Sequence, residues 1–276
     1  MLSTQKITSR DNARLKHARK VRDGKIDDSI FVEGMRLCEE GLRSNIEISE
    51  CFVSSRALKN ERIKVLAVAV IANEVRIQEL PEDIFRSIAD TDSPQGIVLI
   101  CKRPSSKRKD FEAHFHLTPD QIPVVIFLEE ANNPANLGAI LRTAEAADAA
   151  GLIVSKNSAD PFSTKSLRAS MGSAFRLPIW NGADLGKVVE WARERSLIMT
   201  ATDIDGDKLY THIDWKVPRI LVFGSEAHGL SESDKKKIEE QIRIPINSSV
   251  ESLNLAVSAG VILFEAKRQM ISSATD

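Results

Sequence analysis

Three short strings in the second half of the chain gather residue types suited to a polar substrate. The first is Asn133-Pro134-Ala135-Asn136-Leu137-Gly138, with Arg142 further along the same apolar-periodic stretch. Asn136 is placed to cap a helix, Gly138 removes side-chain bulk near its start, and a long arginine leans back toward the helix N-terminus. Arg142 and Asn136 could thus share a cleft. The second string, Gly224-Ser225-Glu226-Ala227-His228-Gly229, follows the apolar run Ile220–Phe223, where a glycine lets a ligand approach the backbone at a strand end. Glu226 is then a polar group for a substrate, or a partner for Arg142. The third is Ile244-Pro245-Ile246-Asn247, followed by Ser252-Leu253-Asn254 at the start of a long helix. Free backbone amides at such a start suit a carboxylate or an adenine edge. Each string alone also has a purely structural reading: a cap with a surface arginine, a turn glycine, and Ser252 as an N-cap.

These residues need a scaffold, and the apolar pattern supplies one. Runs at Val124–Leu128, Gly151–Ser155, Leu177–Trp180, Leu197–Thr202, Ile220–Phe223 and Ile242–Ile246 read as buried strands. Helical stretches are expected at 136–149, 165–175, 185–195, 232–240 and 252–270, and the tail Ser272–Asp276 as frayed. Strands alternating with helices imply a parallel sheet covered on both faces. The first hundred residues carry a smaller α/β pattern: a basic helix opening at Thr8-Ser9, strands at Ser29–Glu33, Ile48–Val53, Val68–Ile71 and Gly96–Cys101, and helices at 34–44 and 57–65. The expected domains are 1–105, a charged linker at 106–120, and 121–276.

The chain has 276 residues, 42% hydrophobic and 28% charged, with a net charge of −1, the profile of an ordinary globular protein. That average hides two basic clusters, Lys6 to Lys25 and Lys102 to Lys109, which attract phosphate backbones through counterion release. Cys38, Cys51 and Cys101 form no CxxC pair, and His114 and His116 lack further ligands, so neither a disulfide framework nor a metal is expected. No apolar run reaches membrane-spanning length, and Met1–Lys6 lacks the apolar core of a signal peptide, so a cytoplasmic location is expected. GxGxxG and GK[ST] strings are absent, which argues against Rossmann dinucleotide binding and a P-loop. With 5% aromatic residues an extensive base-stacking platform is not expected.

The three strings, in this order and with the intermediate Lys165-Ser-Leu-Arg168-Ala-Ser170-Met-Gly172, resemble the signature motifs of the SpoU/TrmH family of SPOUT-superfamily RNA methyltransferases over about residues 121–271. Phe31-Val32-Glu33-Gly34 and Ser93-Pro94-Gln95-Gly96 resemble the ribosomal-protein-like substrate-binding domain that often precedes it. The resemblance implies a deep C-terminal trefoil knot holding S-adenosylmethionine at Gly224, Ile244 and Leu253. It further implies a polar site of Arg142, Asn136, Glu226, Ser252 and Asn254, methyl transfer to a ribose 2′-hydroxyl in RNA, ribosomal rather than transfer RNA, and a homodimer through the knotted domain. A guanidinium stays protonated near neutrality, so Arg142 is expected to bind a phosphate or the developing alkoxide rather than act as a base. The competing readings are a transfer-RNA enzyme, an inactive RNA-binding or ribosome-associated protein, and a base methyltransferase.

Overall fold

The computed structural model describes residues 4–118 and 121–273 and divides into two compact units. The expectation of a frayed tail lies partly outside the described residues. The first unit holds β1 (Thr4–Lys6), α1 (Ala13–Arg22), β2 (Ser29–Glu33), α2 (Met35–Arg43), β3 (Ile48–Ser54), α3 (Glu61–Ala72), β4 (Ile77–Leu80), α4 (Glu82–Ile88) and β5 (Ile97–Lys102). Its sheet runs β1-β4-β3-β5-β2, with β5 antiparallel to both neighbours.

Several elements of this unit differ from the expectation. The basic helix begins at Ala13 because Asn12 caps it, accepting from Arg14 N, while Thr4–Lys6 pairs with β4 as a strand. Val68–Ile71, read as a strand from its β-branched residues, lies inside α3. There Asn60 supplies the cap, and Ile63, Leu66, Ala67 and Val70 are buried at helical spacing. The true strand is Ile77–Leu80. The cysteines are free and buried, and burial pushes the Cys51 thiol up to about 12, which removes it from nucleophilic chemistry near neutrality.

The segment Phe162–Phe175, expected within the C-terminal domain, packs with this first unit. It carries α7 (Thr164–Ser170), capped by Ser163, and its Arg168 donates to Asp90 at 2.5 Å. The resemblance string Lys165–Gly172 therefore belongs physically to the N-terminal unit.

The second unit holds α5 (Arg108–His114), β6 (Ile122–Leu128), α6 (Pro134–Ala146), β7 (Ala149–Ser155), β8 (Ile179–Ala183), α8 (Leu185–Glu194), β9 (Ile198–Thr202), β10 (Lys208–Leu209), β11 (Arg219–Phe223), α9 (Glu232–Lys235), β12 (Glu240–Arg243) and α10 (Leu255–Ser273). The stretch expected as a linker contains α5. Phe111 is buried against Phe115 and Trp191, with ring centroids 5.8 and 5.6 Å away, and the missing Cβ of Gly151 makes room for its ring. An i, i+4 aromatic pair hidden among lysines and arginines was enough to anchor the helix. The sheet is parallel throughout, in the order β10-β12-β9-β11-β6-β7-β8. From β6 the chain steps outward to β8, then returns to the far side, and β11 inserts between β9 and β6. Ligands bind at the carboxyl ends of strands where the order reverses in this way. Among the described residues no helix is long and apolar enough to cross a membrane, and no group of His, Cys, Asp or Glu could hold a metal.

Candidate active site

A cavity of about 630 Å³ lies at that reversal, lined by the segments that follow β9, β11 and β12. This volume is within the range of small-molecule sites. Its back is the β11 turn. There Gly224 packs so tightly that an added Cβ would sit 2.3 Å from the carbonyl carbon of Gly229 and 2.4 Å from Leu230 N. The turn closes by reciprocal backbone hydrogen bonds between Ser225 and Gly229 (3.1 and 2.9 Å), with Gly229 at φ +65°. Ile244, Leu253, Phe223 and Leu230 supply apolar wall, and Ser252 and Asn254 lie on the same lining.

The structure joins three of the expected polar residues directly. Asn136 Nδ2 donates to Glu226 Oε1 at 3.0 Å, and Asn254 Nδ2 donates to Asn136 Oδ1 at 3.1 Å. Residues more than a hundred positions apart thus form one chain of hydrogen bonds. Their local settings differ from the sequence reading. Asn133, not Asn136, caps α6, accepting from Ala135 N, and this frees the Asn136 amide for the site. Asn254, not Ser252, caps α10, accepting from Ala256 N and Val257 N while its amide group reaches Asn136. Ser252 lies outside the helix, exposed on the cavity lining.

Arg142 is not brought into this group. It is exposed on α6 and absent from the cavity lining, and Glu226 is engaged by Asn136 rather than by Arg142. The β9 loop, by contrast, was missed. Asp203 lies on the lining and is held by Lys235 Nζ at 2.6 Å. Burial pushes the Asp203 carboxyl up, but the Lys235 ammonium and the Asp205 N–H more than offset it and hold it below its ordinary value. Lys235, bonded to Asp203 and then Glu232, rises to about 12. The loop is pinned to β12 by Asp203 N donating to Ile242 O at 2.9 Å. The only available sequence signal was Asp203-Ile204-Asp205-Gly206 directly after a strand.

The lining fits an adenosine-bearing amino acid: an apolar wall for the base, a glycine-backed turn that admits close approach, and a carboxylate and side-chain amides at the mouth. An all-parallel sheet with such a cavity at its strand reversal defines the class, a ligand-binding α/β domain. A model of the SpoU rRNA methylase family matches residues 123–264, and one for RNA 2′-O-ribose methyltransferase substrate binding matches residues 31–106. An uncharacterised tRNA/rRNA methyltransferase of Synechocystis is 31% identical, with 98% of this chain and 96% of that protein covered. The 23S rRNA (uridine(2479)-2′-O)-methyltransferase of Streptomyces viridochromogenes is 36% identical over 56% of this chain and 58% of that protein. The structure of an AdoMet-bound rRNA methyltransferase from Sinorhizobium meliloti superposes with a TM-score of 0.81 at 30% identity, covering 96% of this chain and 98% of that one. The chain belongs to the SpoU methyltransferase family. It is an enzyme that transfers a methyl group from S-adenosylmethionine to a ribose 2′-hydroxyl of RNA.

Proposed function

We propose that the substrate is ribosomal RNA, and that Asn136, Glu226, Asn254, Ser252 and Arg142 form the polar site around the reacting hydroxyl. The observation that carries the site assignment is the Asn254–Asn136–Glu226 hydrogen-bond chain at the mouth of the glycine-backed cavity. The cofactor, held along Gly224, Ile244 and Leu253, brings a sulfonium methyl that is already activated, so positioning supplies much of the rate. Asn136 and Glu226 orient the ribose hydroxyl. Arg142, on the exposed face of α6, offers a permanent positive charge to an RNA phosphate or to the developing alkoxide. In the Arg142→Ala variant, S-adenosylmethionine binding should survive while methyl transfer collapses; equal loss of both would overturn the assignment. The ribosomal choice is supported by the S. viridochromogenes and S. meliloti relatives, and comparison of 2′-O-methyl maps from cells with and without the gene tests it.

The same reading includes a homodimer through the second unit. Val257, Phe264 and Ile271 recur every seven residues along α10 and are 52%, 52% and 59% exposed, an apolar stripe that begins one turn from Asn254. The opposite side of α10 buries Ala259, Ile262, Leu263 and Ala266. It also includes a trefoil knot, supported by the insertion of β11 between β6 and β9 and the close packing at Gly224. A cytoplasmic location is supported by the three unpaired, buried thiols. Residues 1–105 serve as the RNA-binding domain in this reading and 121–276 as the methyltransferase domain, with Phe162–Phe175 docked on the former.

A further inference from the structure

In the first unit, most of the basic residues conspicuous in the sequence are already engaged. Arg10 pairs with Asp83, Arg14 with Glu50, Lys16 with Asp11, and Arg22 and Lys25 with Asp23. Arg22 Nη1 also donates to the carbonyls of Ser87, Ile88 and Ala89, and Arg19 to that of Arg10. These side chains fasten α1 to α4 and neutralise one another's surroundings. They commit much of the charge of α1, with Lys6 and Lys20 left exposed beside them.

The opposite situation holds at one edge of the sheet. There β2 and β3, both antiparallel to β5, end beside the start of β5. Three turns converge. Gly34 N donates to Ile97 O at 3.1 Å, Ser54 N donates to Gly96 O at 2.9 Å, and Ala57 N donates to the Ser54 hydroxyl at 3.1 Å. Gly34 (φ +99°) and Gly96 (φ +86°) hold conformations that side chains rarely adopt, and a Cβ on Gly96 would come within 2.4 Å of Ala57. The Gln95 side chain locks the edge further, accepting from Met35 N at 2.7 Å. The strings Phe31–Gly34 and Ser93–Gly96 thus find their physical explanation: they build a rigid rim.

On that rim Arg36, Arg56 and Lys59 are exposed and their side chains form no hydrogen bond or close ion pair with a described residue, with Arg36 adding only to the field around the Glu39–Arg62 pair. The neighbouring acids are occupied. Glu33 is buried and accepts from Asp90 N and the Thr91 hydroxyl, Asp90 pairs with Arg168, and Glu39 with Arg62; Asp92 remains exposed. Side-chain entropy favours leaving long cations unordered unless they meet a partner, so an ordered rim with three uncommitted cations is a prepared surface for polyanions.

We propose that this rim, and not α1, is the surface by which the first unit grips the phosphodiester backbone of RNA. The inference rests on the reading of the chain as an RNA methyltransferase and adds the place and the residues. Low aromatic content fits a grip on phosphates rather than stacked bases.

The test uses the full-length protein and an unmodified transcript of large-subunit ribosomal RNA. Binding is measured by filter retention across a salt series for the wild type, for Arg36→Ala/Arg56→Ala/Lys59→Ala, and for the paired α1 cations Arg14→Ala/Lys16→Ala. Each phosphate contact removed lowers the log–log salt slope by roughly 0.7–0.9, so the rim variant should lose about two units of slope and about tenfold or more in affinity. The α1 variant should match the wild type, and S-adenosylmethionine affinity, measured calorimetrically, should be unchanged in all three. A rim variant with wild-type slope, or an α1 variant with an equal loss, overturns the proposal. Nuclease digestion of the same wild-type reactions reports ribose methylation separately. Methylation with an unaffected rim variant sinks only the rim; slope loss in the rim variant without any methylation sinks only the enzymatic reading.

Discussion

Asn136 is the joint on which the site turns, and its removal has a calculable effect. The residue donates to the Glu226 carboxylate at 3.0 Å and accepts from the Asn254 amide at 3.1 Å. Asn136→Ala deletes both bonds at once. A hydrogen bond to a charged group contributes about 1.5–3 kcal/mol and a neutral one about 0.5–1.5 kcal/mol. Glu226 and Asn254 are exposed to solvent, so the lower ends apply, together about 2 kcal/mol. If that energy holds the site in its reactive arrangement, single-turnover methyl transfer at saturating S-adenosylmethionine falls about 30-fold. The double variant Asn136→Ala/Glu226→Ala sharpens the test. Groups that act through one another are not additive, so it should be no slower than the worse single variant within about threefold. Cofactor affinity, by calorimetry, should stay within a few-fold of wild type throughout. A loss of less than twofold in Asn136→Ala, or losses that multiply fully in the double variant, would refute a connected site.

Other consequences follow from separate parts of the second unit. Gly224→Ala places a Cβ against the backbone of Gly229 and Leu230 and should abolish S-adenosylmethionine binding, read calorimetrically, while circular dichroism retains the fold. Arg219 is 2% exposed and donates to Glu240 at 2.8 Å, Thr200 at 2.9 Å and Asp214 O at 2.6 Å. Truncation to alanine removes all three bonds while Glu240 keeps Lys208, so a loss of about 2–3 kcal/mol in urea unfolding is expected. Asp203 is held below its ordinary value despite its burial, so its contribution is present above the unfolded carboxyl range and is lost as pH falls through the folded value. The stability gap between wild type and Asp203→Asn should therefore shrink below about pH 4; a gap that widens there would exclude the Lys235 pair as its source. Phe264→Glu, on the exposed stripe of α10, should convert a dimer to monomers in analytical ultracentrifugation.

The catalytic half was legible because its strands are continuous apolar runs and its turns carry unusual residues. Val124–Leu128 and Ile220–Phe223 could hardly be anything but buried strands, and Gly224 marked the close approach that the structure contains. Local pattern failed where a tertiary partner decides. Phe111 made a helix of an apparent linker because Trp191 and Gly151 receive it. Val68–Ile71 belongs to a helix because its apolar neighbours share one buried face. The caps of α6 and α10 were misassigned by three and two residues, since Asn133 and Asn136 are chemically alike until Glu226 claims one of them. The Asp203–Lys235 pair was invisible because its members are far apart in sequence and neither stands in a distinctive string. The basic N-terminus shows the converse limit: charge can be counted in sequence, but its pairing with Asp83 and Glu50 cannot.

The most direct measurement is the chemical position of the methyl group. The purified chain is incubated with isotopically labelled S-adenosylmethionine and unmodified ribosomal RNA, and the RNA is digested to nucleosides and to nuclease-resistant dinucleotides. Label in a 2′-O-methylnucleoside, protected within a dinucleotide, is the expected result. Label on a base with unmodified riboses, or no label in RNA at all, would contradict it.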